Sequence, residues 1–345
     1  MKITVFGAGG WGTALAATLA QQHTEVWLYA RNVDLVSSLR QDRCNHRYLP
    51  GVQLLDSIQF TADAALAIAD AAMLILATPS HGVRLAARQI APLLPPDCGL
   101  VSVAKGLETD SCLRMSEVLM QEIPALNGRL AVLSGPNHAE EVGRKIPSAA
   151  VVASASLELA ERVQDIMMTD YFRIYTNHDV AGVELAGALK NIFALAAGIA
   201  DGLGFGDNTR AALMTRGLGE MARLGLACGA DVATFSGLAG LGDLIATCTS
   251  PHSRNRRAGL AIATGLTISE IQAESGMVVE GVRATAAAWQ LAKIKGVAMP
   301  ITAALFQVLY QKLSPHAAVV ELMTRSKKHE REEVAFPSLA EKRDS

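Results

Sequence analysis

The chain opens on Lys2-Ile3-Thr4-Val5-Phe6, a short apolar run. Gly7-Ala8-Gly9-Gly10-Trp11-Gly12 and an alanine-rich stretch to residue 22 follow at once. Three glycines at that spacing, between a strand pattern and a helix pattern, leave the chain few ways to fold. Gly7 permits a tight turn, Gly9 lets a pyrophosphate approach the backbone, and Gly12 lets the helix pack on the strand. A helix that starts there offers unpaired N–H groups and partial positive charge to phosphate. The alternative, a plain strand–turn–helix connection, accounts for fewer of these features. A second strand pattern over residues 24–30 ends where such folds read the ribose 2′ position, about 20 residues on. An acid there holds a free 2′-hydroxyl. This chain has Arg31-Asn32 instead, and Arg31 suits a 2′-phosphate or stacking on adenine unless it is simply solvated. The expected cofactor is NADP or NAD, with NADP accepted.

The alternation continues through the first half. Helix patterns over 11–22, 33–41, 82–94 and 157–168 separate strand patterns over 2–6, 24–30, 71–79, 99–104, 130–135, 148–154 and 171–176. Near-continuous apolar strands interleaved with helices predict an α/β fold with a parallel sheet covered on both faces. Ligands of such sheets bind outside the carboxyl ends of the strands. That rule draws three loops to one rim: Thr78-Pro79-Ser80, Lys105-Gly106, and Ser134-Gly135-Pro136-Asn137-His138-Ala139. Beyond about Asp179 the strand signal stops, and Ala, Gly, Leu and Met recur with helical spacing. Residues 1–178 are therefore expected to form a doubly wound dinucleotide-binding domain and 179–325 an all-α domain. Residues 326–345 read as a charged tail, to which no role is assigned.

Composition narrows the classes. With 50% apolar and 19% charged residues in 345, a large packed core is expected. A net charge of −2 shows none of the basic excess of a nucleic-acid binder. The most apolar stretch, 180–205, carries Glu184, Lys190, Asn191 and Asp201, so it reads as a buried helix and not a membrane span. The N-terminus has no basic and long apolar signal region. Five scattered cysteines without a CxxC, and eight histidines without ligand spacing, point to free thiols in a reducing cytoplasm and to no metal site.

Three segments of the second half bear on chemistry. Lys190 lies in Leu185-Ala186-Gly187-Ala188-Leu189-Lys190-Asn191-Ile192-Phe193, with apolar neighbours on nearly every side. Either it snorkels to water or its pKa is depressed enough for the neutral amine to accept a proton. Asn191, about 100° round the helix, is expected to reach the same cleft. Asp243 and Thr247, four apart, share a helix face; Asp243 either caps a helix or pairs with Lys190. In Ser250-Pro251-His252-Ser253-Arg254-Asn255-Arg256-Arg257, Ser253 is placed to cap a helix whose first N–H groups, with Arg254, would hold a phosphate dianion. A solvated basic face is the simpler alternative.

The motifs GAGGWGTALA, VSVAKGLE, LSGPNHAEEV, ELAGALKNIFALAAGIADGLGFGDNTRAAL, GLAGLGDLIATCTSPHSRNRRAG and VVEGVRA occur in this order. Together they resemble the soluble bacterial NAD(P)-dependent glycerol-3-phosphate dehydrogenases, from the glycine loop to about Arg325. The resemblance implies a Rossmann domain followed by an all-α domain of the 6-phosphogluconate dehydrogenase-like type. It implies interconversion of sn-glycerol 3-phosphate and dihydroxyacetone phosphate, supply of glycerophospholipid synthesis, and a homodimer. It further implies Lys190 as general base at the C2 hydroxyl and Lys105 as a second lysine touching substrate and nicotinamide. Gly135 and Asn137 match the substrate loop; Asp243, Ser253, Arg254 and Asn255 match the substrate pocket. Gly10, Trp11, Arg31, Ala139, Val278 and Glu280 match cofactor contacts, as does Arg254. Family members often carry serine or another residue where this chain has Gly10, and the Arg31-Asn32 positions vary. Two rivals remain: a β-hydroxyacid or 6-phosphogluconate type dehydrogenase, and a dinucleotide sensor without catalysis. The two lysines and the Ser253-Arg254-Asn255 segment argue against both.

Overall fold

The computed structural model describes residues 1–275 and 279–327. The first part alternates as its sequence predicts. β1 (Lys2–Phe6), α1 (Gly10–Leu19), β2 (Val26–Tyr29) and α2 (Val33–Asp42) lead into a two-stranded antiparallel ribbon of β3 (Cys44–Asn45) and β4 (Leu49–Gln53). Then come β5 (Ile58–Thr61), α3 (Ala64–Ile68), β6 (Ala71–Leu76), α4 (Val83–Ile90), β7 (Gly99–Ser102), α5 (Met115–Glu122) and β8 (Leu130–Ser134). α6 (Ala139–Gly143), β9 (Ser148–Ser154), α7 (Leu157–Met167) and β10 (Phe172–Asn177) complete it.

Eight strands form one sheet in the order β10-β9-β8-β7-β6-β1-β2-β5. The six from β8 to β5 are parallel, and their order reverses between β1 and β6. This is the dinucleotide-binding topology, with its crevice at the β1/β6 switch point. Period-two alternation explains the burial. Ile3, Val5, Met73 and Ile75 join the core on one face, and Phe6, Leu74 and Leu76 join it on the other.

The last two strands lie outside the parallel set. β9 runs antiparallel to β8, so β9 and β10 oppose the other six strands. The link from Ser134 to Ser148 holds only the short α6 and returns from the rim it left. A parallel pairing would have needed a crossover running back along the full length of the sheet, and the five-residue α6, the link's only helix, is too short to make it. The ribbon, β5, α3 and α5 are additions to the expected elements; each is short, and three of the strands alternate too briefly to stand out.

From Val180 onward the chain is helical: α8 (Val180–Gly202), α9 (Asp207–Ala227), α10 (Val232–Phe235), a π-helical turn Leu238–Gly242, α11 (Asp243–Thr249), α12 (Arg254–Ala263), α13 (Ile268–Ser275), α14 (Glu280–Lys295), α15 (Pro300–Tyr310) and α16 (Pro315–Met323). α8 is apolar on all sides because α9, α11, α12 and α14 surround it. Two described helical stretches, Val180–Gly202 and Val232–Thr249, are long and apolar enough to cross a membrane; the most apolar window of the first is 94% buried inside the protein. Val132, Val151 and Ala153 of the sheet share the helical core, so the two parts pack without an intervening linker.

Candidate active site

The glycine loop is shaped by two internal contacts and one opening. Gly7 has φ +125°, and a Cβ there would meet the Ala77 carbonyl oxygen at 2.7 Å. A Cβ on Gly12 would stand 1.9 Å from the Gly7 carbonyl oxygen. Nothing lies within 4 Å of where a Cβ would sit on Gly9, so that side of the turn is open. No side chain caps α1, which leaves its first-turn N–H groups to face the opening. The ribbon holds the loop from behind. Asn45, fully buried, donates from Nδ2 to the Ala8 carbonyl at 3.0 Å and to Thr13 Oγ1 at 2.8 Å. The Tyr48 carbonyl lies 2.7 Å from a Cβ on Gly10, and Ala139 Cβ lies 3.7 Å from it, so Gly10 and Ala139 adjoin.

A dinucleotide fits this rim. Six buried side-chain polar atoms have no hydrogen-bond partner among the described residues: Trp11 Nε1, Thr78 Oγ1, Ser102 Oγ, Ser134 Oγ, Asn137 Nδ2 and His138 Nε2. All six lie at the carboxyl edge of the sheet, in or just past β6, β7 and β8 or in the first turn of α1. Buried polar atoms are nearly always paired, so their clustering marks where a ligand would supply partners. Trp11 packs edge-on against Phe172 at 6.2 Å. Arg31 is exposed just past β2, and Asn32 caps α2 by accepting from the Leu35 N–H at 2.8 Å. Glu280, at the start of α14, accepts from Ser80 N at 3.3 Å and Ser80 Oγ at 2.7 Å, joining the loop after β6 to the helical part. Val278 lies outside the described residues.

The centre of the site is one carboxylate between two lysines. Lys190 reaches from α8 to Asp243 Oδ1 at 2.5 Å and to Thr247 Oγ1 at 2.6 Å. Lys105, past β7, donates to Asp243 Oδ2 at 2.9 Å, the Gly135 carbonyl at 2.9 Å and Asn137 Oδ1 at 2.8 Å. Gly135 turns with φ +130°, and a Cβ there would press on Ala150 Cα at 2.9 Å. Asp243 and Lys190 are 1% and 5% exposed. Burial lowers the Lys190 pKa to about 8, with Lys105 adding to the shift and Asp243 opposing it. Burial works against ionised Asp243, but Lys105 and Lys190 outweigh it and hold the carboxyl below its usual range. His138 is pushed down first by burial, then by Lys190 and Lys105. Beside it a cavity of about 400 Å³ opens between the loop after β8 and the Ser250–Pro251–His252 turn.

The third segment sits on α12. Ser253 caps it, accepting the Arg256 N–H at 3.2 Å, and Arg254 is exposed on the first turn. Asn255 is buried, donating to Asn191 Oδ1 at 2.8 Å and accepting from Gly281 N at 2.9 Å. Asn191 is thus committed to Asn255 and the Gly187 carbonyl, away from the lysines. The arginine run is not uniform, because Asp201 of α8 takes Arg256. Asp243 does not cap α11; its carboxylate goes wholly to the lysines and Thr247.

The structure therefore gathers Lys105, Gly135, Asn137, Lys190 and Asp243 into one cluster. Gly7, Gly9, Gly10, Trp11, Gly12 and Ala139 line the neighbouring loop. Sequence reasoning passed over Thr247 as a site residue, although its i, i+4 spacing from Asp243 carried a signal. Asn45 and Ser80 carried none, because their partners lie 32 or more residues away.

The family profile "NAD-dependent glycerol-3-phosphate dehydrogenase N-terminus" matches residues 2–160, and the corresponding "C-terminus" profile matches 179–320. A relative from Desulfitobacterium hafniense, a "Glycerol-3-phosphate dehydrogenase [NAD(P)+]", is 53% identical over 335 residues, covering 97% of this chain and 94% of that one. One of the same description from Bacillus subtilis is 50% identical over 334 residues, covering 96% and 97%. The crystal structure of glycerol-3-phosphate dehydrogenase from Coxiella burnetii superposes with a TM-score of 0.89 at 37% identity, covering 94% of this chain and 99% of that one. With both profiles, the overall fold and the full-length relatives in agreement, the chain belongs to the NAD-dependent glycerol-3-phosphate dehydrogenase family.

Proposed function

We propose that this chain interconverts sn-glycerol 3-phosphate and dihydroxyacetone phosphate with NAD(P), and that Lys190 carries the proton of the C2 hydroxyl. The observation that carries the reading is the buried Lys190–Asp243–Lys105 cluster beside an open glycine loop. NAD(P), held along Gly7–Gly12, would supply the hydride chemistry at C2. The protein positions, polarises and moves the proton.

Donor counting divides the work of the lysines. An ammonium has three N–H donors. Lys190 commits two, to Asp243 Oδ1 and Thr247 Oγ1, leaving one direction for the C2 oxygen. Lys105 commits three, to Gly135, Asn137 and Asp243, so its contribution is a fixed positive charge near the developing alkoxide. In oxidation neutral Lys190 takes the hydroxyl proton; in reduction its ammonium returns it to the ketone oxygen. The substrate phosphate docks at the first turn of α12, on its N–H groups and Arg254, with Ser253 and Asn255 shaping that turn. The cofactor lies along Gly7–Gly12, with Trp11, Arg31, Ala139 and Glu280 on its path and NADP accepted through Arg31. Residues 1–178 act as the dinucleotide domain and 179–325 as the substrate domain. The protein is read as a cytoplasmic homodimer supplying glycerophospholipid synthesis.

The direct test is steady-state oxidation of NADH and of NADPH by dihydroxyacetone phosphate. Turnover with at least one is expected; none with either, against activity on a β-hydroxyacid, would sink the reading. The pH dependence has a defined sign. Oxidation needs the neutral amine, so kcat/KM for glycerol 3-phosphate rises as pH climbs through about 8 and levels off above it. Reduction needs the ammonium, so its kcat/KM holds below about 8 and falls above it. Profiles flat over about one pH unit on either side of 8 would remove Lys190 from the role.

A further inference from the structure

We propose that Asp201 is a positioning residue that keeps the phosphate-binding turn of α12 in register with Lys190. The proposal rests on the reading that this turn holds the substrate phosphate. Asp201 lies on α8, three helical turns beyond Lys190, so one rigid element carries both groups. Its side chain is 8% exposed. Oδ2 accepts from Arg256 Nε at 2.8 Å and lies 2.6 Å from Arg256 Nη2. Oδ1 accepts from Arg210 Nε at 3.2 Å and Nη2 at 2.7 Å. A single buried carboxylate thus takes four charge-assisted contacts from two guanidinium groups.

Arg256 links that carboxylate to the phosphate turn. Its backbone N–H is the one that Ser253 Oγ caps, and it follows Arg254 and Asn255 directly. The chain of contacts runs from α8 through the Arg256 side chain to the backbone of the capped turn. Close packing makes the link stiff. A Cβ on Gly198 would lie 1.9 Å from the Arg256 carbonyl oxygen, and one on Gly259 would lie 2.1 Å from that of Leu195. The backbones of α8 and α12 therefore touch, and the Asn255–Asn191 bond at 2.8 Å adds a second fastening nearer Lys190. Asp201 also settles a competition. Arg254, Arg256 and Arg257 lie within four residues; with Arg256 drawn to Asp201, a phosphate meets the first turn in one geometry and not several.

The test compares dihydroxyacetone phosphate with dihydroxyacetone in the full-length enzyme at saturating reduced cofactor. In Asp201→Asn the KM for the phosphorylated ketone is expected to rise roughly tenfold, the change that loosening one charge-assisted link to the phosphate turn typically gives. Its kcat and the kcat/KM for dihydroxyacetone should stay within about twofold. Arg256→Gln should raise the same KM, and the double variant should be no worse than Asp201→Asn alone, because the Arg256 contact is already lost there. Arg256→Lys, which keeps the charge, should fall between, and it serves if Asp201→Asn melts too low to assay. Equal losses on both ketones, an unchanged KM for the phosphorylated one, or additive single variants would overturn the proposal. Arg254→Ala on the same pair separates the two levels. If it removes the preference for phosphate and Asp201→Asn does not, the positioning role alone is wrong. If Arg254→Ala also leaves the preference intact, the phosphate site itself has been misplaced and the positioning role falls with it.

Discussion

Lys190→Ala lowers turnover in both directions by at least ~100-fold, the low end for a positioned acid–base group, while cofactor binding persists. The argument is geometric before it is electrostatic. Lys190 is buried on a helix enclosed by four others, and two of its three donors are tied to Asp243 and Thr247. Alanine removes the remaining direction, and Lys105 does not take it over, because its donors are already engaged. Asp243 keeps Lys105 as partner, so the variant does not strand a buried charge. Lys190→Arg is the sharper control. A guanidinium keeps the positive charge but does not give up its proton in a protein, so oxidation of glycerol 3-phosphate should not be rescued. The measurements are steady-state rates and a titration of NADPH binding by quenching of protein fluorescence. Near-normal turnover with binding intact would take the proton-transfer role away from Lys190.

Asp243→Asn is expected to lose more than turnover. Asp243 is the only carboxylate bonded to either lysine among the described residues. Without it two ammonium groups share a buried site uncompensated. Breaking a buried pair this way typically costs about 3–5 kcal/mol. The protein should therefore melt well below the parent in thermal denaturation, and turnover should fall by ~100-fold or more as Lys190 loses its orientation. The residual activity carries a signature of its own. Burial and Lys105 push the Lys190 pKa down, while Asp243 pushes it up first by its charge and again by its hydrogen bond, with Cys248 adding less. The inflection in the oxidation profile should move below about 8 in the variant. An inflection that stays in place or moves up would show that Asp243 does not set the protonation of Lys190.

Several features of the site were legible in the chain before folding. The strand–glycine–helix pattern around Gly7, Gly9 and Gly12 is local, so its turn geometry follows from residues a few positions apart. The change near Asp179 from alternating strands to continuous helix is likewise a matter of period. Lys190 stood out because a lysine among apolar neighbours needs a reason, and Ser253 stood out because it precedes a helix pattern. In each case short-range sequence contained the physical cause.

Other features had no local cause. The direction of β9 depended on whether the chain after Ser134 crossed the sheet or turned back, and residues 135–147 read the same either way. Asn45 behind the Ala8 carbonyl, Ser80 on Glu280 and Asp201 on Arg256 join residues 37 to 200 positions apart. Within the arginine run, nearness to the cap already favoured Arg254, but nothing local showed that Asp201 takes Arg256.

By itself the sequence determined the class of fold, the nucleotide turn and which polar residues stood in apolar surroundings, because these follow from spacing and solvation along a few turns of chain. Only the tertiary structure decided that Lys190 and Lys105 share Asp243, that Thr247 and not Asn191 completes the set, and that Arg254 and not Arg256 faces outward from the capped turn. Those outcomes depend on which side chains meet when α8, α11 and α12 pack against the sheet, and distances of a few ångströms between remote segments are not encoded in any one of them.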